Sequence, residues 1–136
     1  MNIRDKINLI TGAGSRIGFE LAKQFIAKGN KVIICGRNEQ GLLAAQKQLN
    51  NADYIVCDIN SDVDLEKLIL SITDTFGCLD LLVNNAGTLS AYHLSEKANA
   101  FDKAKEEILT NYLSVVKLTE KLLPLLLQRI HLANPY

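Results

Sequence analysis

A glycine-rich segment near the N-terminus has the residue types and the spacing that bind phosphate groups. Residues 11–18 read TGAGSRIG, between an apolar run and a helical pattern. Glycine permits positive φ and a close approach of the backbone to a ligand, and the N–H groups at the start of a helix stabilise an anion. No Gly-Lys-Ser/Thr follows, which excludes a P-loop. A tight strand-to-helix turn without a ligand is the alternative.

The residues after the second apolar run indicate which nucleotide would bind. A site for NAD(H) commonly has an acid at the end of the second strand, where it bonds the ribose 2′-hydroxyl. A methyltransferase that binds adenosylmethionine would also need an acid there. This chain has Cys35-Gly36-Arg37-Asn38 instead. Because a guanidinium pairs with phosphate through two hydrogen bonds, Arg37 favours NADP(H) over NAD(H); a merely solvated Arg37 is the alternative.

Short apolar runs alternate with helical periodicity along the chain. Strands are predicted at Lys6–Thr11, Lys31–Cys35, Asp53–Asp58 and Leu79–Val83. Helices are predicted at Arg16–Lys28, at Glu39–Leu49, from a Ser61 cap to near Phe76, and from Ser95 to about Ile130 with a bend near Asn99–Phe101. Pro124 is expected to kink or end the last helix. The alternation predicts an α/β fold with a parallel four-stranded sheet between helices, and ligands bind such sheets beyond the carboxyl ends of the strands.

Composition excludes several classes of function. The 136 residues make one domain, and 15 basic residues balance 15 acidic ones, so no positive field attracts nucleic acid or anionic lipid. No apolar run approaches the roughly 20 residues of a membrane span, and the N-terminus lacks the features of a signal peptide. Three cysteines without a Cys-x-x-Cys argue against a disulfide framework or a metal site. We expect buried thiols in a reducing, cytoplasmic compartment.

Taken together, these segments resemble the short-chain dehydrogenase/reductase family, which has a Rossmann-type fold. The resemblance covers essentially the whole chain. It rests on TGAGSRIG at 11–18, Asp58 after the third strand, NNAG at 84–87 after the fourth, and Asn111 in the long helix. It implies a Rossmann-like three-layer α/β/α domain over residues 1–136 with strand order 3-2-1-4. The implied activity is hydride transfer between a nicotinamide cofactor and a carbonyl or alcohol.

The resemblance also implies roles for individual residues. Asp58 would hydrogen-bond the adenine amino group, residues 84–87 would support the sheet and line the ribose side, and Asn111 would hold a water of the proton relay. A helix-capping Asp58 and a merely structural Asn111 are the alternatives. Asn111 is thus the one catalytic candidate, and the predicted cofactor-binding residues are Thr11, Gly12, Gly14, Ser15, Arg16, Ile17, Gly18, Arg37, Asp58, Ile59, Asn85, Ala86 and Gly87.

Three features depart from the family pattern. Arg16 stands where most members have the second glycine of TGxxxGxG, as in the pteridine-reductase branch; a cation there would either assist pyrophosphate binding or block it. The family's Tyr-x-x-x-Lys acid/base motif, in which lysine follows tyrosine by four positions, is missing. Tyr112 and Lys117 are five positions apart, so they do not share a helix face as such a pair does. Family members are also usually about twice this length, so the sequence resembles a cofactor-binding half that stops before a fifth strand.

These departures leave three interpretations. The chain is an oxidoreductase that needs residues from another chain, a non-catalytic NADP(H)-binding module, or a truncated remnant. If no strand follows Leu79–Val83, that apolar strand becomes an edge, and exposed apolar edges pair with other chains. We therefore expect a homo-oligomer that forms through this strand or through the apolar side of the long helix.

Overall fold

One parallel sheet organises the chain. The computed structural model describes residues 4–91, 94 and 99–133, with 129–133 as backbone only. The strands are β1 (Ile7–Thr11), β2 (Lys31–Gly36), β3 (Ala52–Val56) and β4 (Leu81–Val83). They pair in the order β3-β2-β1-β4, and every pair is parallel. This confirms the predicted α/β, Rossmann-like sheet and its strand order.

Helices connect the strands and cover both faces of the sheet. They are α1 (Arg16–Ala27), α2 (Glu39–Leu49), α3 (Asp62–Phe76), α4 (Ala100–Ile108) and α5 (Ser114–Ala133), with a π-helical turn at Leu109–Leu113 between the last two. No helix in the described residues is both long and apolar enough to cross a membrane.

Each face of the sheet has its own apolar core because side chains alternate along a strand. On one face, Leu9 and Ile33 pack with residues of α3 and α5. On the other face, Ile10 and Ile34 pack with residues of α1 and α2. These four side chains are fully buried. Strands covered on both faces read as continuous apolar runs, which is why β1 and β2 were recognisable in the sequence.

Local polar groups fix the ends of the helices. The Ser61 hydroxyl accepts a hydrogen bond from the Asp64 N–H at 3.3 Å, which confirms the predicted cap of α3. The Asp64 carboxylate accepts from the Asp58 N–H at 2.9 Å, so it ties the end of β3 to the start of α3. Gly77 ends α3 in the left-handed conformation with φ +72°.

Several predicted boundaries were wrong for long-range reasons. β4 begins at Leu81 rather than Leu79, because the Leu79 N–H donates to the Leu125 carbonyl of α5. β3 ends at Val56 rather than Asp58. The long helical segment is divided by the π-helical turn, and α5 continues past Pro124, so the alternative in which that proline ends the helix is wrong. Residues 95–98, the predicted start of this segment, lie outside the described residues.

The three cysteines are free and buried, which confirms their interpretation as apolar side chains. Burial raises the pKa of the Cys35 thiol far above its usual value. Burial, followed by the charges of Asp64 and Asp58, raises the pKa of Cys57 from 9.0 to about 11. Both thiols therefore stay protonated in the folded protein at pH values where an unfolded chain would ionise them.

Raising the pH above about 9 is expected to destabilise the fold through Cys35 and Cys57. Both thiols have a higher pKa in the folded protein than in the unfolded chain. Their contribution to the free energy of unfolding is fully present below the unfolded pKa, and it is lost as the pH rises towards the folded pKa. At pH 10 each thiol should lower the free energy of unfolding by about 1.4 kcal/mol. Urea unfolding at pH 8 and pH 10 measures this loss. The Cys35→Ala/Cys57→Ala variant should lose less, and an equal loss in both proteins would contradict the expectation.

Candidate functional site

A cleft of about 440 Å³ opens where the carboxyl ends of the strands meet, as expected for a parallel sheet of this order. It brings together most of the residues predicted from the sequence. Those that line it are Gly12, Ser15, Arg16, Ile17, Arg37, Asp58, Ile59, Asn85, Ala86 and Gly87. The predicted residues Thr11, Gly14 and Gly18 do not line the cleft: Thr11 ends β1, Gly14 lies in the turn, and Gly18 lies in the first turn of α1.

Two glycines, one in the turn and one in the first turn of α1, are required by contacts within the protein. Gly12 has φ +66°, and a Cβ there would lie 2.9 Å from Ala86 Cα. A Cβ on Gly18 would lie 2.6 Å from the Asn85 amide nitrogen and 2.8 Å from the Gly12 carbonyl oxygen. A Cβ on Gly14 would make only ordinary contacts of 3.6 Å with α2. The turn therefore uses Gly12 and Gly18 to lie directly against the segment after β4.

Thr11 and Asn85 form a polar joint between the ends of β1 and β4. The buried Thr11 hydroxyl donates to the Val83 carbonyl and accepts from the N–H groups of Asn85 and Ala86, at 3.0 and 2.9 Å. The Asn85 amide donates to the carbonyls of Thr11 and Gly12 at 2.9 and 3.2 Å. Gly12, Asn85 and Ala86 form the floor of the cleft. Thr11 holds this backbone in place without lining the cleft, whereas Asn85 lines the cleft itself.

The N-terminus of α1 faces the cleft and is prepared for an anion. Ser15 stands at the cap position, but its side chain makes no capping bond, and the first turn contains no acidic residue. Arg16, the first residue of the helix, has φ +55°, which costs an L-residue about 1–2 kcal/mol. A cation at a helix N-terminus also opposes the macrodipole. A bound anion would accept hydrogen bonds from the N–H groups at the start of α1 and would also pair with the Arg16 guanidinium.

Arg37 and Asp58 stand on the wall of the cleft formed by the ends of β2 and β3. Arg37 is exposed and makes no ion pair with any residue that the structure describes. Asp58 Oδ1 accepts from the Asn60 N–H at 2.9 Å. Because Ser61 is the N-cap of α3, the alternative of a capping Asp58 is wrong. Asp58 Oδ2 accepts no bond within the described ranges, so it can receive a donor from a ligand.

Asn111 lies beside the cleft, in the π-helical turn. Its Oδ1 accepts from the Thr88 N–H at 2.8 Å, and its Nδ2 donates to the Thr88 carbonyl at 2.7 Å. Glu107 of α4 accepts from the Ser90 N–H two residues later. Asn111 and Arg16 both line a second cavity, next to the cleft. The Asn111 amide therefore holds the backbone after β4.

Four residues of the cleft were not among the predicted binding residues, although Gly36 and Asn60 lie at predicted strand ends; they are Gly36, Cys57, Asn60 and Thr110. Asn60 follows β3, a position that the strand pattern marks as near a ligand. Its Nδ2 donates to Thr110 Oγ1 at 2.9 Å. Thr110 enters the wall because of the π-helical turn, which has no signature in the hydrophobic pattern.

Comparison with known sequences identifies relatives over nearly all of this chain. The family model described as short chain dehydrogenase matches residues 6–131. A putative ketoacyl reductase from Streptomyces coelicolor is 33% identical over 122 residues, which are 87% of this chain and 46% of that protein. The chain spans about half the length of the curated relatives it matches.

Solved structures resemble this fold closely. The Pseudomonas aeruginosa RhlG/NADP active-site complex has a TM-score of 0.85 and 27% identity, over 92% of this chain and 49% of that one. L-Sorbose reductase from Gluconobacter frateurii, complexed with NADPH and L-sorbose, has a TM-score of 0.83 and 27% identity, over 95% of this chain and 50% of that one. A 3-ketoacyl-(acyl-carrier-protein) reductase from Brucella melitensis, complexed with NADH, has a TM-score of 0.82.

Replacing Thr11 by valine is expected to destabilise the protein by about 2–6 kcal/mol. Valine has a similar shape but leaves the N–H groups of Asn85 and Ala86 without their acceptor, and each buried unpaired group costs about 1–3 kcal/mol. Thr11→Ser keeps the hydroxyl and should lose only about 1 kcal/mol, the worth of the buried methyl group. Urea unfolding of both variants tests the joint, and equal losses would contradict it.

Proposed function

The chain belongs to the short-chain dehydrogenase/reductase family, and we propose that it binds NADP(H) in the cleft as the cofactor-binding part of a carbonyl or alcohol oxidoreductase. One observation carries the proposal: the uncapped N-terminus of α1 opens into the same cleft as Arg37, which has no ion-pair partner in the described chain. Two anion-binding features at one edge of a sheet suit a dinucleotide with a pyrophosphate and an additional phosphate.

The residues of the cleft fit the proposed cofactor. The start of α1 and Arg16 would hold the pyrophosphate, Arg37 the 2′-phosphate, and the open oxygen of Asp58 the adenine amino group. Residues 85–87 would line the ribose. NADP(H), when bound, supplies the hydride donor or acceptor. Related structures contain NADP, NADPH or NADH, so the preference for the 2′-phosphate rests on Arg37 and on the absence of an acid beside it.

Proton transfer is the part of the reaction that this sequence lacks. Tyr-x-x-x-Lys does not occur in the 136 residues. Tyr112 and Lys117 do not replace it, because the Lys117 ammonium pairs with the Asp62 carboxylate at 2.9 Å. We therefore propose cofactor binding without turnover by this chain alone. Asn111 could serve in a proton relay only if residues outside this sequence supplied the proton donor. Its side-chain amide already makes two hydrogen bonds to the backbone of Thr88.

Self-association is the second part of the proposal. In the described chain, β4 pairs only with β1, and an apolar stripe continues from the π-helical turn along α5. Its members are between 40% and 65% exposed, and they are Leu109, Tyr112, Leu113, Val116, Leu123 and Leu127. An antiparallel pair of copies centred on Val116 would set Leu109 against Leu123 and Tyr112 against Glu120.

We also propose a cytoplasmic location, which the three free thiols favour.

Arg37→Ala is expected to weaken NADPH binding by about 10-fold to 100-fold, the usual worth of hydrogen bonds to a charged group. NADH has no 2′-phosphate, so its affinity should change less than twofold. Titration calorimetry with both dinucleotides measures this, and Lys23→Ala, on the exposed side of α1, is the matched loss of a cation. Equal wild-type affinity for NADH and NADPH, or an unchanged NADPH affinity in Arg37→Ala, would contradict the NADP(H) preference.

Val116→Glu is expected to convert an oligomer into a monomer, because it places a charge at the centre of the proposed contact. Val63→Glu changes a similarly exposed valine on α3 and should leave the assembly intact. Sedimentation velocity at tens of micromolar distinguishes the species. A monomeric wild-type protein would reject self-association without affecting the proposal for the cofactor.

A further inference from the structure

The second cavity, next to the cofactor cleft, has no ligand in the function proposed above. Its volume is about 650 Å³, which is enough for a small molecule. Arg16, Ala86 and Gly87 line both the cavity and the cleft. A ligand in the second cavity would therefore lie beside the bound cofactor, where a substrate of an oxidoreductase has to be.

Arg16 is the one charged residue in the lining of this cavity, within the part of the chain that the structure describes. Its side chain is exposed and makes no hydrogen bond or ion pair with any described residue. The Glu107 carboxylate, which accepts from the Ser90 N–H, does not line the cavity. The lining thus carries a positive charge without a carboxylate to neutralise it.

The hydrogen-bonding groups of the lining have an excess of donors. A guanidinium has five N–H donors and no acceptor. Asn111 uses its oxygen and one N–H on the backbone of Thr88, which leaves it a second N–H. Asn84 donates one N–H to the Thr119 hydroxyl at 3.2 Å and keeps one donor and one acceptor. These side chains together suit a ligand with acceptor oxygens and a negative charge.

Stability of the fold does not account for an arginine at position 16. Its φ of +55° costs about 1–2 kcal/mol, which a glycine would avoid. The pyrophosphate of the cofactor would supply one partner, but the N–H groups at the start of α1 serve that anion as well. Because a guanidinium carries donors along more than one edge of its plane, Arg16 can contact the pyrophosphate and a second anion together.

We propose that the second cavity binds a carbonyl compound that carries a carboxylate, and that Arg16 selects the carboxylate. The carboxylate oxygens supply acceptors for Arg16 and for the remaining N–H of Asn111. The apolar part of the compound lies along Leu89 and Val115, which also line the cavity. This inference names the substrate class of the oxidoreductase, so it rests on the proposed function.

The test measures binding to protein that is saturated with NADP⁺, which fills the cleft and cannot reduce a ketone. The probes are 4-oxopentanoate and its methyl ester, which share the ketone and differ in the charge of the carboxylate. Ligand-observed NMR titration measures the affinity of both. Wild-type protein should bind 4-oxopentanoate at least about 10-fold more tightly than the ester, the worth of hydrogen bonds between charged groups.

Arg16→Gly should reduce this preference to less than about twofold, because it removes the charge. Glycine accommodates the φ of +55°, so the variant should fold. Arg16→Lys keeps the charge without the planar fork and should have an intermediate preference. Lys23→Ala removes an exposed cation of α1 that lines neither cavity, and it should keep the wild-type preference. The NADP⁺ concentration is set for each variant from its own titration.

Three results would overturn the inference while NADP⁺ binding, and so the proposed function, stands. They are equal wild-type affinities for the two probes, no binding of either probe, and an unchanged preference in Arg16→Gly. A preference that falls equally in Lys23→Ala would also overturn it, because the effect would then come from the overall charge. Wild-type protein that does not bind NADP⁺ would overturn the proposed function and this inference with it.

Discussion

The direct contact between the glycine turn and the segment after β4 is the constraint on which the site depends. β4 has only three residues and, in the described chain, pairs only with β1. Its carboxyl end is therefore held by side-chain bonds of Thr11 and Asn85 rather than by a long ladder. Gly12 and Gly18 make room for this joint because a Cβ at either position would collide with Ala86 or Asn85. The glycines thus build the floor of the cleft even without a ligand.

The same turn carries the features that reduce stability without a ligand. Thr11 and Asn85 satisfy their polar neighbours inside the protein. Four residues after Thr11, Ser15 leaves the start of α1 without a side-chain cap, and Arg16 adds a cation and a left-handed backbone. Stability would favour an acidic residue or glycine in that first turn. The polar groups of Thr11 and Asn85 are paired within the protein, whereas the start of α1 has no side-chain cap and carries a cation. This difference favours an anion-binding site over a turn that serves the fold alone.

Much of this fold could be predicted because its main signals are local. The apolar runs of β1 and β2 and the cap at Ser61 act over a few residues, and the structure has them as predicted. The errors came where distant residues decide. Leu79 bonds to α5 instead of extending β4. Leu122 and Leu125 remain buried on either side of Pro124, so packing maintains a helix that the proline disfavours.

The residues of the site could likewise be predicted where their signal is local, and not where distant residues bring them to the cleft. Positions after strands are visible in a sequence, so Arg37 and Asp58 were found. Thr110 was not, because the π-helical turn that brings it to Asn60 leaves no periodic signal. Asn111 shows the opposite problem, since its type suggested catalysis while its amide binds both backbone groups of Thr88. That clamp supports the backbone beside the cleft whether or not a proton donor is present. An asparagine at this position therefore does not by itself indicate turnover, because the reaction also requires a proton donor.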